Sequence, residues 1–122
     1  MPFIKCKVSC PLSREQETAL KARQGKAIGL VPEKSEAYLL LEFEDNCRLW
    51  LRGEDEEPIA YLEAAIFANE GHGGYPAFTA AVTGAFREVL GISPDRIYIK
   101  YEDITGWGVA GQYIDRRGLW QE

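Results

Sequence analysis

The chain has 122 residues, which fits one domain, and its 46% hydrophobic and 27% charged residues suit a chain that buries a core without disulfides. Fourteen Lys and Arg against nineteen Asp and Glu leave a formal charge of −5. That balance argues against bulk nucleic-acid binding, where cations must replace counterions. No run of about 20 apolar residues occurs, so no membrane span is expected, and Met1-Pro2-Phe3-Ile4-Lys5 lacks a secretory signal pattern.

Residues 3–9 alternate, with Ile4, Cys6 and Val8 on one face and Phe3, Lys5 and Lys7 on the other, which predicts a strand. Ser13 and Gln16 form a capping-box pattern for a helix that runs to about Ile28, with Gly29 as its stop signal and a thin apolar face of Ala19, Leu20, Ala27 and Ile28. Residues 37–43 are a mostly apolar run, expected as a strand buried on much of both faces. Glu44-Asp45-Asn46 supplies turn chemistry, and residues 47–51 are expected to return as a hairpin strand.

Residues 58–67 form a further apolar strand, and Gly71-His72-Gly73-Gly74 a loop, with His72 expected at its rim. From Pro76 on, Phe78, Ala81, Val82, Ala85, Phe86, Val89 and Leu90 keep helical spacing up to Gly91. Ser93-Pro94-Asp95-Arg96 is a turn, and Ile97 and Ile99 alternate with Tyr98 and Lys100 as a strand. Beyond Asp103 the tail is rich in Gly and Trp, with a last short strand expected at Tyr113 and Ile114.

Cys6 and Cys10 would lie about 13 Å apart along one strand, too far for a disulfide. With Cys47 they make three cysteines beside one histidine, so no metal site is expected and free thiols in a reducing cytoplasm are.

Residues 1–122 are expected as one domain of two matched halves, 2–53 and 58–114, each strand–helix–strand plus a short strand. Helical crossovers make the strand pair within each half parallel. One mixed sheet with both helices on one face then follows, an α+β sandwich of two layers. Its other face would carry Tyr38, Leu40 and Tyr61 in water, which calls for cover by another subunit.

Four stretches now combine. They are Met1-Pro2-Phe3-Ile4, Lys34-Ser35-Glu36 before a strand, Ile92-Ser93-Pro94-Asp95-Arg96-Ile97-Tyr98-Ile99, and Gly106-Trp107-Gly108 followed by Gly111. In order and spacing they resemble the tautomerase superfamily, in the branch of macrophage migration inhibitory factor and D-dopachrome tautomerase. The resemblance spans essentially the whole chain. It implies a homotrimer with its sheets facing inward, and cofactor-independent keto–enol tautomerisation of phenylpyruvate-like 2-oxo acids.

It also implies roles for particular residues. Pro2, freed by loss of Met1, would be the acid/base, because a secondary amine titrating near neutral pH suits proton transfer. Lys34 would grip the substrate carboxylate and depress that amine's pKa. Phe67 would offer its backbone amide. Tyr98, with Lys100 where the family usually has asparagine, would come from a neighbouring chain. Trp107 would compensate for Val109, which stands where the family often has an aromatic. Ile59-Ala60-Tyr61-Leu62 replaces the inhibitory factor's Cys-x-x-Cys, so no thiol–disulfide activity is expected. The alternatives are a signalling protein of the same scaffold, released without a signal peptide, and a Pro2-dependent hydratase or dehalogenase of unsaturated acids.

Overall fold

A computed structural model describes residues 1–115 and the backbone of 118–120. The first half runs β1 (Pro2–Val8), α1 (Arg14–Ala27), β2 (Leu40–Glu44); the second runs β3 (Ala60–Phe67), α2 (Tyr75–Leu90), β4 (Ile97–Ile104). The four strands form one sheet in the order β2-β1-β3-β4. Each half contributes a parallel pair, and the halves join antiparallel through β1 and β3. The tail folds into a separate antiparallel sheet of β5 (Gly106–Val109), β6 (Gln112–Asp115) and β7 (Gly118–Trp120).

Period-2 alternation aims Ile4, Cys6 and Val8 of β1 and Leu62, Ala64 and Ile66 of β3 at the helices, where all are fully buried. Phe78, Val82 and Phe86 of α2 meet them from above with no exposed surface. The apolar face of α1 is completed by a polar residue. Gln24 is buried and satisfied by the Cys6 thiol, with its amide nitrogen 3.5 Å from Sγ.

Several boundaries differ from expectation. The capping box at Ser13 and Gln16 forms and α1 ends at Ala27, capped at Ile28 as expected, but a 3-10 turn then carries the chain through Gly29 to Leu30. Residues 36–38 are also a 3-10 turn, so β2 starts at Leu40 rather than at residue 37. No hairpin forms with residues 47–51. Only Leu51 makes a bridge there, to Glu54, while residues 47–50 take no regular structure and the Cys47 amide donates to the Val8 carbonyl at the end of β1. The tail makes three strands instead of one.

The sheet face away from the helices carries Leu40 and Tyr61, as expected, and charged residues between them. Leu40, 60% exposed, stands in a row with Phe3, Ala65 and Glu102. Alternation and register place Glu42, Lys5, Glu63 and Lys100 in one row across all four strands, opposite charges side by side. Glu44, Lys7, Tyr61 and Tyr98 make the next row. The apolar run at residues 39–43 is apolar on one face only: Leu39, Leu41 and Phe43 pack on the core, and Glu42 and Glu44 face outward. Among the described residues no helix is long and apolar enough to cross a membrane.

Candidate active site

Pro2 opens β1, buried, and pairs with Ile66 of β3, which in turn pairs with Asp103 of β4. Phe67 follows Ile66 as the last residue of β3, and its backbone N–H donates to the Met1 carbonyl oxygen at 3.3 Å. Lys34 lies on the connection from α1 to β2, its own N–H bonded to the Val31 carbonyl at 3.1 Å. Its charge reaches the chain terminus. Burial, and after it the Lys34 ammonium, hold the Met1 amine below its ordinary value. Pro2, Lys34 and the Phe67 amide thus share one end of the sheet.

The loop after β3 builds the wall beside them. Ala68, His72 and Gly74 all take left-handed backbone, with φ of 57°, 58° and 78°. A side chain on Gly74 would overlap the Leu30 carbonyl oxygen, so this loop is wedged against the segment that leads to Lys34. His72 reaches Asp103, its Nε2 lying 2.9 and 3.0 Å from the two carboxylate oxygens. The His72 ring stacks on Tyr75 at 5.1 Å, and Tyr75 stacks on Tyr101 at 4.3 Å. Neither His72 beyond a rim position nor Asp103 stands out in the sequence. They are far apart in the chain, and no local spacing links them.

Tyr98 and Lys100 do not join this group within one chain. Tyr98 shares a row with Tyr61 and Lys7, five residues along β1 from Pro2, or about 16 Å. Lys100 lies three residues along, and its ammonium is 3.5 Å from carboxylates of both Glu63 and Glu102. Tyr61 first, then those two carboxylates, hold the Lys100 pKa above its ordinary value. Trp107 is half-buried in the second sheet, opposite Ile114.

A cleft of about 350 Å³ between α1 and β2 is lined by Arg14, Lys21, Glu36 and Phe43 among others, and by none of these site residues. No group of three or more His, Cys, Asp or Glu side chains among the described residues is arranged to hold a metal ion.

What the arrangement brings together is the Met1 amine, the Lys34 charge that acts on it and the Phe67 N–H bonded to the Met1 carbonyl. The fold that carries it is that of the macrophage migration inhibitory factor-like proteins. A homologue of that factor from Prochlorococcus marinus is 26% identical, over 89% of this chain and 96% of that one, with a TM-score of 0.75. MIF2 of Leishmania major is 24% identical over 93% and 97%, with a TM-score of 0.85. Pt0534, in a structure inactivated by 2-oxo-3-pentynoate, is 17% identical over 89% and 93%, with a TM-score of 0.79. No protein-family model and no curated protein matches the sequence. The likeness read from the sequence motifs is therefore met at the level of fold.

Proposed function

We propose that the chain, once Met1 is removed, is a cofactor-independent keto–enol tautomerase of phenylpyruvate-like 2-oxo acids, with Pro2 as the acid/base. The observation that carries this reading is the Met1 carbonyl held by the Phe67 amide at 3.3 Å, at a terminus where the amine feels Lys34. Loss of Met1 would take away that acceptor and leave a secondary amine and an unbonded N–H donor at a terminus where the Lys34 charge is felt.

A 2-oxo acid fits those groups. Its carboxylate pairs with Lys34, and its 2-oxo oxygen takes the place of the Met1 carbonyl on the Phe67 amide. The neutral Pro2 nitrogen takes a proton from C3. The C3–H electron pair forms the C2–C3 double bond, and the carbonyl pair moves to the oxygen, where the Phe67 N–H stabilises the growing charge. The prolinium then gives its proton to that oxygen, completing the enol; the reverse order restores the ketone. Tyr98 and Lys100 belong to this site only if a neighbouring chain brings them, so the reading includes a homotrimer, in keeping with the cytoplasmic setting that free thiols suggest. Pt0534 is inactivated by a 2-oxo acid bearing an alkyne. An amine adds to such an alkyne, which makes the compound a probe for Pro2.

The test compares N-terminally processed protein with the same chain retaining Met1. The processed form is expected to interconvert the keto and enol forms of phenylpyruvate and to gain one 2-oxo-3-pentynoate adduct on Pro2. The Met1 form, whose proline nitrogen is an amide, is expected to do neither. Equal activity in both forms rules out Pro2 as the base. Inactivity in both favours the signalling alternative, or the hydratase and dehalogenase one if unsaturated acids are consumed.

A further inference from the structure

We infer that His72 and Asp103 form a latch that positions the Pro2 site, with His72 as a positioning residue rather than a catalytic one. The inference rests on the tautomerase reading above and deepens it. The loop between β3 and α2 has two contacts that matter to the site. At its start it continues directly from Phe67, whose amide is the oxygen donor. Near its end, Gly74 is pressed against Leu30, and a Cβ on Gly73 would stand 3.3 Å from Pro32, both on the segment leading to Lys34. One loop therefore sets the spacing between the donor for the substrate oxygen and the cation for its carboxylate.

Within itself the loop is held by short-range bonds. The His72 N–H donates to the Asn69 carbonyl at 3.0 Å, and the Asn69 carboxamide donates to the Gly73 carbonyl at 3.0 Å. Three of its residues occupy left-handed backbone, two of them not glycine, which costs energy unless other contacts hold the shape. A side-chain tie from this loop to the sheet runs from His72 to Asp103, which sits in the row of Pro2 and Ile66. Tyr75, 7% exposed, stacks between His72 and Tyr101, and the Tyr101 hydroxyl meets Thr79 Oγ1 at 2.6 Å. The latch thus closes onto a rigid stack, while the histidine and the carboxylate stay about half exposed at the rim.

Two features of His72 are separable. A glutamine keeps an N–H donor for Asp103, and a phenylalanine keeps the stack on Tyr75. In processed protein, His72→Phe and Asp103→Ala are each expected to lower kcat for phenylpyruvate about tenfold with KM within about twofold, because a misplaced amide donor is felt most where oxygen charge develops. His72→Gln is expected to restore kcat to within about threefold of wild type. The double variant His72→Phe/Asp103→Ala is expected to lose no more than either single one, since both break the same contact. The apparent pKa of the Pro2 amine should stay unchanged in all of them.

Wild-type kcat in His72→Phe and Asp103→Ala, or losses that multiply in the double variant, would overturn the latch. If processed wild type does not turn over phenylpyruvate, the tautomerase reading fails instead. The latch is then decided by hydrogen exchange of the Phe67 amide in the Met1-retaining chain, where that amide is bonded. Exchange about tenfold faster in both single variants upholds it, and unchanged exchange overturns it.

Discussion

Cys6 shows how far a single residue's surroundings can move its chemistry. It is fully buried beside Gln24, and burial pushes its thiol up to about 12. The folded chain therefore keeps a proton there that the unfolded chain gives up near pH 9. Stability from this group is whole below pH 9 and falls as pH rises toward 12. Melting temperatures of wild type and Cys6→Ala from pH 8 to 10.5 should show the steeper decline in wild type; parallel curves would mean that the thiol is not held protonated. At Gly74 the constraint is steric as well as conformational, with φ of 78° and the Leu30 carbonyl in the way. Gly74→Ala should cost more than about 1 kcal/mol in denaturant unfolding and slow turnover, because the loop that holds the site must shift. Pro2 and Lys34 were legible as candidate site residues because each sits in a short motif with a fixed offset. The surroundings of Lys100 were not. Glu63, which meets its ammonium, comes from another strand, and only the β3–β4 register brings the two together.

At the scale of elements, periodicity predicted α2 almost to the residue because its stripe is unbroken and Gly91 caps it in left-handed conformation. Val82 and Phe86 are fully buried at its centre. Phe86→Ala should cost about 3–5 kcal/mol of unfolding free energy, and a loss below about 1 kcal/mol would contradict that packing. The helix α1 depends more on its start. Ser13 accepts from the Gln16 N–H at 3.1 Å, and the Gln16 side chain accepts from the Ser13 N–H at 2.9 Å. Ser13→Ala should cost about 0.5–2 kcal/mol by the same measurement. Strand β2 was misread because hydrophobicity alone ran through residues 37–43, while the chain spends 36–38 on a 3-10 turn before it can pair with β1. The hairpin at 47–51 failed for a related reason. The edge of β2 was free for it in sequence terms, but Asn46 and Cys47 bond back to Cys10 and Val8 instead.

For the whole molecule, two βαβ halves and one mixed sheet were readable because crossover length dictates parallel pairs. Alternation also told which face of β1 would meet water, with Phe3, Lys5 and Lys7 opposite Ile4, Cys6 and Val8, but which charges would pair there was not readable, since it depends on register across four strands. The charged row Glu42–Lys5–Glu63–Lys100 shows that cover by a second copy is not demanded by apolar surface alone. The trimer is part of the proposed function, in which a neighbouring chain brings Tyr98 and Lys100 to Pro2. Light scattering at micromolar concentration should give three times the 13.7 kDa chain mass, and a monomer would remove both residues from the site. The central claim is that a free Pro2 amine is the base and that Lys34 lowers its pKa, as burial and Lys34 lower that of the Met1 amine in the full chain. The pH dependence of phenylpyruvate kcat/KM in processed protein tests it most directly. Wild type should lose activity on the acid side with a pKa below the ordinary α-amine range of about 7.7–8.0, and Lys34→Ala should move that limb upward while weakening substrate binding. An active wild type whose acid limb is the same in Lys34→Ala would contradict the account.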